Sequence, residues 1–176
     1  MTVAQTQDKI DELAINTIRT LSIDAIQKAN SGHPGTAMDA APVAYTVWQH
    51  FLRYDPKSPY WINRDRFVLS SGHASMLLYS LIHLAGTEAA DSVYQKQGGE
   101  AVTLADIESF REDGSRCPGH PEYGWTTGVE STTGPLGQGI ATSVGMAIAG
   151  KWLAATYNKP DFELFDYNVY AVCGEG

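Results

Sequence analysis

The stretch Asp65-Arg66-Phe67-Val68-Leu69-Ser70-Ser71-Gly72-His73-Ala74-Ser75 decides the fold. Its centre, Phe67-Val68-Leu69, is a short apolar run suited to a parallel strand buried on both faces. A Ser-Ser-Gly turn follows at once, and Ala74 to Leu84 then reads as an apolar helix. Strand, glycine turn and helix in succession form a corner of an α/β fold, where ligands collect beyond the carboxyl ends of the strands. Asn168 to Cys173 reads as a second buried strand and points at Gly174-Glu175-Gly176. The expectation is an α/β architecture with a parallel sheet flanked by helices.

Outward from this corner, residues 1–7 read as a loose lead-in. From Asp8 to about Ala29, Ile10, Leu13, Ile18, Leu21 and Ile26 recur at helical spacing. Asn30-Ser31-Gly32 ends that helix with residues that accept the left-handed conformation of a C-terminal cap. Asp39 to Leu52 reads as a second helix, with Val43, Val47, Trp48 and Phe51 as its buried stripe. Tyr54 to Asn63 carries Pro56 and Pro59 and reads as a loop. Leu104 to Arg111 is a short helix, and Leu136 to Tyr157 a longer one rich in small residues. Between them, residues 112–133 form a Gly-, Pro-, Ser- and Thr-rich loop too long for a mere connector. No internal repeat appears.

Composition narrows the function classes. A chain of 176 residues implies one domain or part of one, and 43% hydrophobic residues suffice for a substantial core. The net charge of −8 argues against nucleic acid or an anionic membrane as partner, since both demand a basic face. Cys117 and Cys173 are the only cysteines and have no metal-site or disulfide spacing, which points to a reducing, cytoplasmic setting. Met1 to Gln7 has no apolar run of the kind a secretory leader needs, and no stretch of about 18 apolar residues exists to span a membrane.

Three histidines sit beside glycines, in Ser31-Gly32-His33-Pro34-Gly35, Ser71-Gly72-His73 and Gly119-His120-Pro121-Glu122. Glycine permits close backbone approach, proline stiffens the mount, and imidazole titrates near neutral pH. His33 and His120 thus have the constrained setting that proton transfer to a hydroxyl group requires. Gly134-Pro135-Leu136-Gly137-Gln138-Gly139 opens a helix, whose free N–H groups and dipole suit an anion or a polar ring edge. Taken singly, each motif reads more readily as a structural or loop histidine, or as ordinary helix-entry chemistry, than as a ligand contact. His50 and His83 lie in helical segments and receive no role.

Together and in this order, these motifs resemble the N-terminal part of the transketolase family. The resemblance extends over nearly the whole chain and includes Asp65 to Ser70, Phe110-Arg111 and Thr132 to Gly137. It implies a thiamine-diphosphate-binding fold over residues 8–176 and reversible transfer of a two-carbon ketol group between sugar phosphates in the pentose phosphate pathway. By the same resemblance, His73 contacts the cofactor diphosphate. Gly134, Pro135 and Leu136 contact its organic part, with Leu136 against the aminopyrimidine ring. His33 and His120 hold and deprotonate substrate hydroxyls, and Arg111 is a candidate for the substrate channel.

Glu175 and Gly176 fall in the family's Gly-Asp-Gly opening, which here reads Gly-Glu-Gly. The resemblance makes Glu175 a ligand of Mg2+, or of Ca2+, which tolerates the longer side chain better, and Gly176 a cofactor contact. A homodimer is implied as well. The sequence stops where this motif begins, so an incomplete domain is expected. Alone it should neither catalyse nor fold stably without further polypeptide or a complementary subunit. A non-catalytic truncated homologue is the other reading. A nucleotide-binding domain fits less well, because neither a Gly-x-Gly-x-x-Gly turn nor a Gly-Lys-Ser/Thr phosphate loop is present.

Overall fold

In the computed structural model, which describes residues 3–91 and 95–174, the chain folds as helices α1 (Val3–Ala29) and α2 (Pro34–Thr46), strand β1 (Arg66–Leu69), helix α3 (Ser75–Leu84), strands β2 (Glu88–Ala90) and β3 (Lys96–Glu100), helices α4 (Leu104–Glu108) and α5 (Gln138–Tyr157), and strand β4 (Val169–Val172). β1 and β4 pair in parallel, with Phe67 opposite Tyr170 and Leu69 opposite Val172. β2 and β3 form a separate antiparallel pair. This is the expected α/β arrangement, a parallel sheet flanked by helices.

α3 is the centre of the core. Every residue from Ser75 to Ile82 is buried, and Phe67 and Leu69 of β1 join it with Ile18 and Ala25 of α1 and Ala37, Ala41 and Ala44 of α2. Such small residues let helices approach closely, and Ser22 and Ser80 meet hydroxyl to hydroxyl at 3.3 Å. α5 lies against the two strands and buries only Gly139 and Ser143. A Cβ at Gly139 would stand 2.5 Å from Ser70 Cα, so glycine is what lets α5 touch the end of β1.

Several elements differ from the sequence reading. α1 begins at Val3, so residues 3–7 of the expected lead-in are helical. Its residues Ile10 and Leu13 are 51% and 68% exposed, because they line an open groove with Trp48, Leu81 and Leu84 rather than the closed core. α2 begins at Pro34, not Asp39; proline is pre-set for the first helical turn, and His33 occupies the cap with an extended backbone. The earlier start turns Ala37, Ala41 and Ala44 inward and leaves Val43 and Phe51 exposed, against the expected stripe. Pro42 inside α2 cannot bond the Met38 carbonyl, and Arg19 Nε of α1 donates to it instead at 2.9 Å. A five-residue wide turn, Val47–Phe51, completes the segment.

α4 stops at Glu108 after a capping box between Thr103 and Asp106. β4 is half-open, not buried, with Ala171 exposed, since β1 alone pairs with it. The β2–β3 pair was not anticipated; β3 is exposed along its whole length and reads Lys-Gln-Gly-Gly-Glu, which has little strand propensity. Among the described residues, no helix is long and apolar enough to cross a membrane.

Asp65 fastens the start of the sheet. Its buried carboxylate accepts from Arg53 Nη2 at 3.1 Å, the Arg53 peptide N–H at 2.9 Å and the Asn168 peptide N–H at 2.7 Å. Arg53 reaches on to Asp166 at 2.9 Å, and hydrogen bonds from Arg53 and Asn63 hold the Asp166 carboxyl below the usual carboxylate range. Replacing Asp65 with Ala strands two peptide donors and a guanidinium, and should cost about 3 kcal/mol. A denaturant midpoint unchanged in Asp65→Ala would show that the clamp carries no stability.

Candidate active site

Because β1 and β4 are parallel, their carboxyl ends emerge side by side. Gly174 lies beside Ser71, with a Cβ position 3.5 Å from Ser71 Oγ. His73 sits in the short 3-10 turn Gly72–Ala74 that joins β1 to α3. The long loop of residues 112–133 folds back onto this turn. Thr133 Oγ1 donates to Leu69 O at 2.8 Å, and the Thr133 peptide N–H donates to Pro121 O at 3.1 Å. α3 holds the same loop from below, with Ser75 Oγ donating to Gly119 O at 3.0 Å and Tyr79 OH to Pro118 O at 2.9 Å. Burial pushes the Tyr79 phenol well above its usual range, so it stays a donor.

These ties bring the separate motifs to one place. The rings of His33 and His73 lie 5.1 Å apart, edge to face. His120 Cδ2 is 3.2 Å from the Cβ position of Gly134, whose φ is +154°. A Cβ at Gly72 would stand 2.7 Å from Gly134 N, so the His73 turn and the glycine loop touch backbone to backbone. Among the described residues, the rings of His33, His73 and His120 make no hydrogen bond. His83, by contrast, uses Nδ1 on Val102 O at 2.9 Å, as befits a histidine with no assigned role. Partial burial, and then the nearby His33 and His120 imidazoles, push the His73 value below the usual imidazole range.

Leu136 is 63% exposed at the entrance to α5, an apolar side chain with no apolar cover. Gly137, at φ +83°, turns the chain into the helix, and Ser70 Oγ accepts from the Ile140 peptide N–H at 3.1 Å. An imidazole without a hydrogen-bond partner, bare glycine backbone and a helix N-terminus thus offer polar donors at one corner, with the exposed apolar side chain of Leu136 beside them. Beside His120, Arg111, Glu122 and Trp125 line an open concavity of about 680 Å³. The Arg111 guanidinium donates to Ser31 Oγ, so that donor is already engaged in the fold.

Thr133, Ser75 and Tyr79 position the site and were not singled out from the sequence. Only the hydroxyls and backbone carbonyls they reach distinguish them, and those partners lie far away along the chain. Glu175 and Gly176, the expected metal ligand and last cofactor contact, lie outside the described residues. Among the described residues, no three His, Cys, Asp or Glu side chains gather as a metal site.

Comparison with known proteins shows the family of the chain. Residues 10–176 match the family model described as transketolase, thiamine diphosphate binding domain. Transketolase of Geobacillus stearothermophilus is 59% identical over 95% of the chain, and the chloroplastic transketolase of Spinacia oleracea is 54% identical over 96%. The chain spans only 23% and 21% of those two proteins. Transketolase of Pichia stipitis, solved with sedoheptulose 7-phosphate, superposes with a TM-score of 0.85 at 48% identity, over 95% of this chain and 23% of that one. The Campylobacter jejuni enzyme gives 0.81 at 43% identity, over 100% of this chain and 24% of that one. The chain therefore belongs to the transketolase family, within its thiamine diphosphate binding domain.

Proposed function

We propose that this chain is the cofactor-binding part of a transketolase, which transfers a two-carbon ketol group reversibly from a ketose phosphate to an aldose phosphate. The observation that carries this reading is the convergence of His33, His73 and His120, their rings unpaired, around the backbone contact of Gly72 with Gly134. The sugar phosphate bound to the Pichia stipitis relative supports the substrate class. A role in the pentose phosphate pathway follows from that chemistry. The free thiols Cys117 and Cys173 suit a reducing, cytoplasmic compartment.

The residues present fit thiamine diphosphate. His73 would hold the diphosphate, the Gly134 and Pro135 backbone and the exposed Leu136 would hold the ring system, and Gly176 would complete the contact. Glu175, outside the described residues, would be the ligand of a divalent cation, Mg2+ or Ca2+, a role supported only by the match to the thiamine diphosphate binding domain. When bound, the cofactor supplies an electron sink for breaking a carbon–carbon bond. His33 and His120 hold the substrate hydroxyls and move the proton, each on a mount stiffened by the following proline.

Much of the apolar surface of α5, including Ile140, Val144, Ile148 and Trp152, is exposed. It supports a second copy, or further polypeptide of the length seen in the relatives, as the cover that completes the domain. That exposed face also leaves room for the second reading, a non-catalytic homologue that binds cofactor and pairs with a complementary chain.

Calorimetric titration of the native polypeptide with thiamine diphosphate and a divalent cation separates these readings. His73→Ala should weaken cofactor binding about tenfold or more, the worth of one charge-assisted hydrogen bond. His33→Ala and His120→Ala should leave cofactor affinity within about twofold and lower ketol transfer by about 100-fold or more. Full cofactor affinity in His73→Ala would refute the assignment of the site; tight binding with no transfer by the wild type would favour the non-catalytic reading.

The lowered His73 value adds a pH dependence. Without ligand, His73 is neutral at pH 7, and a bound diphosphate raises its proton affinity. Binding therefore takes up a proton, and affinity rises as pH falls from the bound value towards the lowered free value, levelling off below it. Titration in buffers of different ionisation enthalpy should show that uptake, and its absence in His73→Ala identifies the group.

A further inference from the structure

Two non-glycine residues among the described ones have left-handed backbones, Asn30 at φ +48° and Arg111 at φ +67°. They flank one junction. Arginine is strained in that conformation, so the surrounding structure must over-determine it. Phe110 and Arg111 leave α4 and run between the two loops that carry His33 and His120. On one side, Phe110 Cε1 stands 3.2 Å from the Cβ position of Gly32. On the other, Arg111 Nε stands 2.8 Å from the Cβ position of Gly119. Glycine therefore occupies each loop at its point of contact, and any side chain there would separate the three segments.

Hydrogen bonds complete the bridge. Arg111 Nη1 donates to Ser31 Oγ at 2.5 Å, two residues before His33. Its peptide N–H donates to Cys117 O at 3.1 Å, three residues before His120. Arg111 Nε is buried with no hydrogen-bond partner among the described residues. A guanidinium left with an unmet donor on a strained backbone is not there to satisfy itself. It is held by its reach and its flat shape.

We propose that Arg111 is a positioning residue whose guanidinium acts as a strut, setting the spacing and orientation of the His33 and His120 loops. Its kinetic consequence rests on the ketol-transfer reading above; the strut itself does not. Both imidazoles must meet one substrate, and a shift of about 1 Å in such a pair costs up to about 100-fold in rate. Lysine lacks the planar fork and cannot replace the bridge fully.

The test compares wild type, Arg111→Lys, Arg111→Ala and Ser31→Ala in the native polypeptide that carries this sequence. Hydrogen exchange read by mass spectrometry should quicken at least about tenfold over residues 30–35 and 117–121 in Arg111→Ala. Exchange over residues 72–75 and 133–137 should not change. With a ketose phosphate donor, kcat should fall by about 10- to 100-fold, while thiamine diphosphate affinity stays within about twofold. Arg111→Lys and Ser31→Ala should fall between, and millimolar guanidinium ion should restore part of the Arg111→Ala activity. Unchanged exchange and kcat in Arg111→Ala overturn the proposal. So does exchange that rises along the whole chain with loss of cofactor binding, because that marks a general folding role. A wild type without ketol transfer but with the localised exchange change refutes the enzymatic reading and supports the strut.

Discussion

The histidine corner depends on one buried contact, the hydroxyl of Thr133 against the last carbonyl of β1. Leu69 O lies at the end of the strand, where no further ladder partner is offered, and a buried carbonyl without a partner is costly. Thr133 supplies that partner and thereby pins the far end of a long irregular loop. Its peptide N–H then reaches Pro121, so the segment carrying His120 is pinned by the same residue. With no side chain at Gly72, the two backbones come close enough for all this to coexist. A loop of this length is ordinarily mobile; here its buried hydrogen bonds to β1 and α3 make it part of the body.

The local electrostatics differ from those of the whole molecule. The chain carries a net charge of −8, yet its functional corner gathers three imidazoles, and only other histidines contribute charge effects at His73. An acidic surface therefore coexists with a site able to accept an anion, because the site acts through short-range donors, and mobile ions screen the distant carboxylates over roughly 10 Å. Partial burial and the neighbouring imidazoles favour the neutral form of His73.

The core sits on one side of the sheet. Around α3 the apolar residues are closed in by α1, α2 and β1, with alanines and serines at the closest helix contacts. Across the sheet, α5 meets the strands through Gly139 and Ser143 and leaves large side chains outside. Among the described residues, β4 likewise pairs with β1 alone. The helical side exposes large apolar side chains too, among them Leu13, Val43 and Phe51, so apolar surface is open on both sides of the described residues.

The sequence by itself determined the strand–turn–helix corner, the parallel pair of Phe67–Leu69 with the strand before Gly174, the helical spans of α3 and α5, and the identity of the glycine-mounted histidines. Local chemistry sufficed there: apolar runs, glycine turns and proline-stiffened mounts act over a few residues. Tertiary structure alone decided which face of α2 is buried, since Pro34 and the alanine contact with α1 outweigh the apparent stripe of Val43 and Phe51. It also decided the β2–β3 pair, whose residues have weak strand propensity, and the packing of Arg111 between Ser31 and Gly119, where the sequence offers only the end of a short helix and a candidate for the substrate channel. The partners involved range from 6 positions along the chain, as between Ala90 and Lys96, to 80, as between Arg111 and Ser31, and an atom's reach in space is not written in the spacing of its neighbours along the chain.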